Sequence, residues 1–148
     1  MPANNRFTDA RAIDFAAFLL RIALGAMFLA HSLILKLFVF TLPGTAQFFT
    51  SIGLPGWFAY LVFGLEAVGG ALLILGVQVR WVSLALLPIL AGATWAHAGN
   101  GWMFGYPNGG WEYPLYLTLL ACVQALLGEG AFALRRSEPL PFLTPQET

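Results

Sequence analysis

Apolar residues in this chain gather in four long runs, without the strict alternation of a half-buried strand. The runs cover residues 15–40, 57–77, 81–98 and 113–128. Each is near the ~17–25 residues that cross a hydrocarbon core of ~30 Å. Most are interrupted by a charge or a histidine, which hydropathy tolerates and chemistry has to explain. Backbone polar groups in lipid must be satisfied within the segment, so the pattern predicts an all-α fold. The economical architecture is a membrane-spanning antiparallel four-helix bundle. The connection at 77–80, VQVR, is short enough to make the second and third spans a hairpin.

The segments between the runs are less uniform. LPGTAQFFTSIGLPG at 42–56 opens on Pro-Gly and closes on Gly-Leu-Pro-Gly, with Phe48, Phe49 and Ile52 set among polar residues. It reads as a short interfacial helix between the first two spans. Gly25, Gly64, Gly69, Gly70 and Gly92 offer places for helices to approach closely, and Pro88 is expected to kink the third span. Residues 1–14 form a charged N-terminal segment before a membrane domain at 15–134. The tail at 135–148, with three prolines after residue 137, is expected to be extended or disordered.

Composition sharpens this picture. With 59% hydrophobic and 9% charged residues, the chain lies far outside soluble norms. The first run is too long for a signal-peptide core and no small-residue cleavage site follows it, so it is expected to be retained. A net charge of zero leaves no footprint for nucleic acid. The lone cysteine, Cys122, cannot form a CxxC pair, which argues against thiol–disulfide chemistry by this chain alone. Arg6, Arg11, Arg80, Arg135 and Arg136 all fall in the termini or the 77–80 turn. By the positive-inside rule both termini are therefore cytoplasmic, and the loops at 41–56 and 99–112 face outward.

Six polar residues sit at membrane depth, where each is a functional hypothesis by default: Arg21, His31, Lys36, Glu66, His97 and Glu112. With helical entries near Phe15 and Trp81, His31 and His97 both lie about 24 Å from the cytoplasmic side. Glu112 opens the fourth span at the same level. Arg21 and Glu66 are separated by roughly 7 Å along the membrane normal, within reach of an arginine, and are expected to form an ion pair. Lys36 stands five residues after His31, which rotates it by about 140° on an α-helix, so the two should not share a face.

Between His97 and Glu112 runs GNGWMFGYPNGGW, a loop denser in aromatics and glycines than a simple connection needs. Singly, its features have plain explanations. Glu112 suits the first turn of a helix, histidines can bond backbone carbonyls, and tryptophans anchor at interfaces. Their convergence at one depth points to a pocket. Haem b is disfavoured because the chain has only two histidines. A metal site of His31, His97 and Glu112 lacks any diagnostic spacing. A quinone or similar amphipathic ring compound ranks first, with His97, Glu112 and His31 handling protons and hydrogen bonds. Trp102, Trp111, Tyr113 and Lys36 would surround it. The actual cofactor is left open by the sequence.

Three stretches carry a family likeness: RIALGAMFLAHSLILKLF at 21–38, GLPGWFAYLVFGLEAVGGALLILGVQVR at 53–80, and WAHAGNGWMFGYPNGGWEYPL followed by LLGEGAFAL. In this order, over roughly residues 17–134, the chain resembles the DoxX family of small bacterial four-helix membrane proteins. The resemblance implies a multi-pass protein of the bacterial inner (cytoplasmic) membrane, with Arg21, His31, Lys36, Glu66, His97 and Glu112 as positions to carry over. It also implies an oxidoreductase context, since relatives are associated with quinone-linked oxidation of reduced sulfur compounds and with oxidative-stress complexes. A soluble or membrane oxidoreductase partner is expected, alongside the lipid bilayer and self-association into a homo-oligomer. The second functional class is a non-catalytic membrane anchor or assembly subunit for such a partner.

Overall fold

The computed structural model describes residues 3–141. Helix α1 spans Ala3–Leu29 and passes without a break into a π-helical stretch, Ala30–Val39. Helices α2 (Leu42–Ser51), α3 (Phe58–Leu75), α4 (Val79–His97) and α5 (Glu112–Leu127) follow. Among the described residues every regular element is helical, apart from one isolated bridge between Val77 and Arg135. Three helical segments, Asp9–Val39, Phe58–Leu75 and Val79–Asn100, are long and apolar enough to cross a membrane. Helix α5 is apolar and shorter. Large apolar side chains such as Phe15, Leu19, Leu65, Val68, Trp95 and Leu126 stand exposed around the helices, a surface that lipid covers.

Local sequence explains where the elements begin and end. No proline or glycine occurs between Ala3 and Leu24, so α1 starts well before the apolar run instead of leaving residues 3–14 as a separate segment. Helix α2, the interfacial helix expected at 42–56, is capped by the Thr41 hydroxyl, which accepts from the Gly44 N–H at 3.2 Å, with Pro43 in its first turn. Helix α3 ends in a Schellman motif. Gly76 takes a left-handed conformation (φ 68°), and the Gly76 and Val77 N–H groups donate to Leu73 and Leu72. Pro88 lies inside α4, which runs on through it, and Pro114 occupies the first turn of α5, where its missing N–H costs nothing.

The interior centres on Leu24, Phe28, Leu73, Val79, Leu86, Leu90, Leu117 and Ala121. Helices α1 and α3 touch backbone to backbone. A Cβ on Gly25 would lie 2.8 Å from the Gly70 carbonyl, and one on Gly70 would lie 2.9 Å from the Gly25 carbonyl. Gly69 instead receives Leu86 of α4, while Gly64 and Gly92 face open space.

The end of the molecule carrying the Gly76–Gln78 turn is fastened by three charged side chains, each at a helix terminus. Arg80 donates to the carbonyls of Ala125 and Leu126, at the C-terminus of α5. The Glu129 carboxylate accepts from the Val79 N–H, at the N-terminus of α4, and from Ser137 N–H and Oγ–H. Arg21, fully buried, donates to Leu73 and Ile74 at the C-terminus of α3, and to the carbonyls of Glu129 and Ala131. Cations at helix C-termini and an anion at an N-terminus complement the helix dipoles. The expected Arg21–Glu66 ion pair is therefore corrected. The carbonyls of α3's last turn lie level with Arg21, whereas Glu66 is two turns further along and is engaged elsewhere.

The chain after α5 folds back over this end. Leu134 and Arg135 N–H donate to Leu75 and Gly76, Gln78 N–H donates to Arg135, and Leu140 is buried. Residues 135–137 are thus held against the turn by their backbone rather than left loose. The remainder of the expected tail, 142–148, and residues 1–2 lie outside the described residues.

Candidate functional site

At the opposite end, the π-helical stretch carries His31 and Lys36. Its i→i+5 bonding is seen directly in the Phe40 N–H, which donates to Leu35 at 2.8 Å. The wider turn overturns the α-helical expectation that these two side chains point apart. The Lys36 ammonium reaches Glu66 Oε2 on α3 at 2.6 Å, and the two side chains are only 16% and 8% exposed. His31 stands on the same π-helical stretch, which packs against α3. Its Nδ1 is 2.9 Å from the Met27 carbonyl, which can only accept, so Nδ1 carries a proton and Nε2 is the basic nitrogen of the neutral ring. The ring stacks on Tyr113 of α5, with centroids 6.2 Å apart and planes at 23°.

The loop between α4 and α5 is closed by its own backbone. Trp111 and Glu112 N–H donate to Gly101 and Trp102, each at 3.1 Å, and the Trp102 and Trp111 rings meet edge to face at 4.5 Å. His97 is a clasp for this loop. Its Nδ1 lies 3.0 Å from the Asn108 carbonyl and 3.1 Å from that of Gly109, and Asn100 Nδ2 donates to both. Glu112 holds the other side, its Oε1 accepting from the Phe104 N–H at 2.8 Å. Gly110 is buried in the middle, where a side chain would run into the backbone carbonyls of Trp102 and Met103. Gly110→Ala is expected to spring the loop open at a cost of about 2 kcal/mol, read as faster proteolysis within residues 101–111. Gly105→Ala, with nothing within 4 Å of the added carbon, should cleave at the wild-type rate.

These pieces frame an open groove of about 660 Å³, walled by Trp102, Phe104, Tyr113 and Tyr116, floored by Leu115 and Leu119, with Glu112 as its charged group. Phe104 packs on Tyr113 at 5.3 Å, so the groove wall is continuous with the His31 ring behind it. Aromatic faces beside one carboxylate suit a planar, partly polar ring.

The structure thus sorts the residues singled out from the sequence into separate groups. Trp102, Glu112 and Tyr113 share the groove, with His31 behind Tyr113 and Trp111 packed on Trp102. Lys36 is tied to Glu66 rather than free to meet a ligand. Among the described residues, no hydrogen bond or ring contact joins His97 to Glu112 or to His31, and no group of three or more His, Cys, Asp or Glu side chains forms a metal-binding cluster. Arg21 lies at the far end. Sequence reasoning passed over Glu129 as a structural residue, although an acid set between Gly128 and Gly130 directly after an apolar helix is a visible signal.

The DoxX family model matches residues 16–99. That stretch includes Arg21, His31, Lys36, Glu66 and His97, and stops short of Glu112 and the closing helix. A Bacillus subtilis (strain 168) protein named "Putative oxidoreductase CatD" is 36% identical over 83 residues, which make up 56% of this chain and 60% of that protein. The alignment thus spans less than two thirds of that relative's length. No solved structure matches the chain.

Proposed function

Because the chain belongs to the DoxX family, and is a multi-pass membrane protein with bilayer-facing apolar helices, we propose that it is a four-span inner-membrane component of an oxidoreductase system that binds a quinone or similar amphipathic ring compound. In this reading α5 is the fourth span of an antiparallel bundle. Arg80, Arg135 and Arg136 gather at the turn end, which would place that end and both termini in the cytoplasm. Lys36, the cation near the loop end, is paired with Glu66 and so does not offset that asymmetry. The observation that carries the reading is the aromatic groove at Glu112, backed through Tyr113 by the His31 imidazole. An aromatic wall would hold the ring, and Glu112 would accept or deliver a proton at its oxygen. The relative's name, an oxidoreductase, supports the context.

A second reading draws on a different observation. His97 and Glu112 both hold loop backbone, which suits a rigid docking surface for a partner oxidoreductase equally well. One preparation separates the two. The protein is purified in mild detergent and its extracted small molecules are identified by mass spectrometry. Wild type is expected to carry an isoprenoid quinone near one per chain, with retention falling about tenfold in Trp102→Ala and in Glu112→Gln. The glutamine can still accept from Phe104 N–H, so the loop is preserved while the charge is lost. A ligand-free wild type that co-purifies with an oxidoreductase, and loses it when the loop is altered, would replace the ligand reading with the anchor reading.

A further inference from the structure

The Lys36–Glu66 pair lies outside the groove, and ligand binding as proposed makes no use of it. Its geometry depends on an unusual backbone. Residues of an α-helix advance by about 100°, so a five-residue step ends 140° away. Bonding from i to i+5 reduces the advance to roughly 80° per residue, and the same step then ends only about 50° away. We propose that the π-helical register of residues 30–39 is a positioning device that brings Lys36 onto Glu66, so that the steered carboxylate faces the His31–Tyr113 wall of the groove. Lys36 and Glu66 are in this sense positioning residues, acting on a bound ring only through His31 and Tyr113.

The observations fit together along one line. The π-stretch packs against α3, and Glu66 is 6% exposed there. Lys36 occupies one oxygen of the carboxylate, and His31 stands on the same π-helical stretch, only about 50° around from Lys36 in that register. His31 is itself held at Nδ1 by Met27, which fixes the ring plane against Tyr113. Ser32, beside His31, turns its hydroxyl back on the carbonyls of Phe28 and Leu29, at the step where α-helical bonding gives way to the wider turn. A register that lengthens the turn at His31 and closes at Leu35–Phe40 leaves Lys36 as the side chain it repositions.

The proposal rests on the groove reading only for what the wall is for, and its test reads the wall without any ligand. The chain has two histidines, so ring ¹⁵N labelling gives two imidazole signal sets, assigned with His97→Gln. In Lys36→Met the His31 signals should move by well over a linewidth while those of His97 stay in place. Exchanging Leu35 and Lys36 keeps composition but sets the cation four residues from His31, the spacing an α-helix would align. This exchange should perturb His31 as much as Lys36→Met does, whereas Lys36→Arg should restore the wild-type signals. Should Lys36→Met fail to fold, Lys36→Met with Glu66→Leu removes both charges and should show the same His31 displacement. Wild-type His31 signals in the exchanged variant, or in the double variant, would overturn the proposal. A wild-type protein that carries no quinone, with the expected signal pattern intact, would overturn only the groove reading.

Discussion

Arg21→Ala should cost on the order of 4 kcal/mol and lower the thermal midpoint in detergent by roughly 10 °C. The guanidinium is fully buried and makes four hydrogen bonds, to Leu73, Ile74, Glu129 and Ala131, at 2.5–2.9 Å. Truncation leaves the Ile74, Glu129 and Ala131 carbonyls without this donor where little water reaches, at about 1 kcal/mol or more each, while Leu73 keeps the Gly76 N–H. It also removes the link between the end of α3 and the 129–131 segment, which the Ala131 N–H ties to the Asp14 carbonyl and the Glu129 carboxylate ties to the Val79 N–H. The site is built around arginine. Gly76 lies so close that an added Cβ would be 2.9 Å from the guanidinium carbon, and the Phe18 ring lies 5.0 Å from that carbon. A planar fork of five donors can serve four acceptors on two segments, whereas an ammonium is a single point. Arg21→Lys should therefore recover less than half of the loss. A midpoint for Arg21→Ala within 2 °C of wild type would show that the fork is not a principal fastener of this end.

Much of the architecture was legible because it follows from hydrophobic length and from glycine and proline chemistry. The apolar runs predict the long helices, Pro-Gly and Gly-Leu-Pro-Gly bracket α2, and Gly25 with Gly70 marks a close helix approach. Pairings were less legible because they depend on register. An arginine and a glutamate at similar depth make a sound ion-pair forecast only if no backbone carbonyl is nearer. In a helical membrane protein the last carbonyls of every helix compete for a buried cation, and here those of α3 win. The rotation assigned to Lys36 failed for a related reason: sequence gives spacing in residues, and only the bonding pattern converts spacing into angle. The loop between α4 and α5 divides along the same line. Its density of glycine and aromatics marks it as a built structure, whereas the engagement of His97 and Glu112 with its backbone depends on conformations at Asn108, Gly109 and Gly110 that composition does not encode.

Register also sets the second large effect expected here. Lys36→Met should destabilise the protein by about 3 kcal/mol, because it strands the Glu66 carboxylate in a site where that side chain is 8% exposed. Glu66→Leu should cost less, since the lysine's long stem can carry its charge outward. Removing both charges, in Lys36→Met with Glu66→Leu, should return the midpoint to within a few degrees of wild type. Replacing a buried pair by apolar groups of similar size is often neutral, because the attraction between the charges does little more than offset their desolvation. The coupling from the four thermal midpoints should come to about 2 kcal/mol or more. It should change little between low and high salt, since a shielded pair at 2.6 Å is weakly screened. Additive single-variant effects would mean that the pair does not form in solution. A double variant as stable as wild type but unable to retain a ring compound would have a different meaning. It would assign the pair to the groove, because a fold equally stable without two charges at membrane depth keeps them for some purpose other than stability.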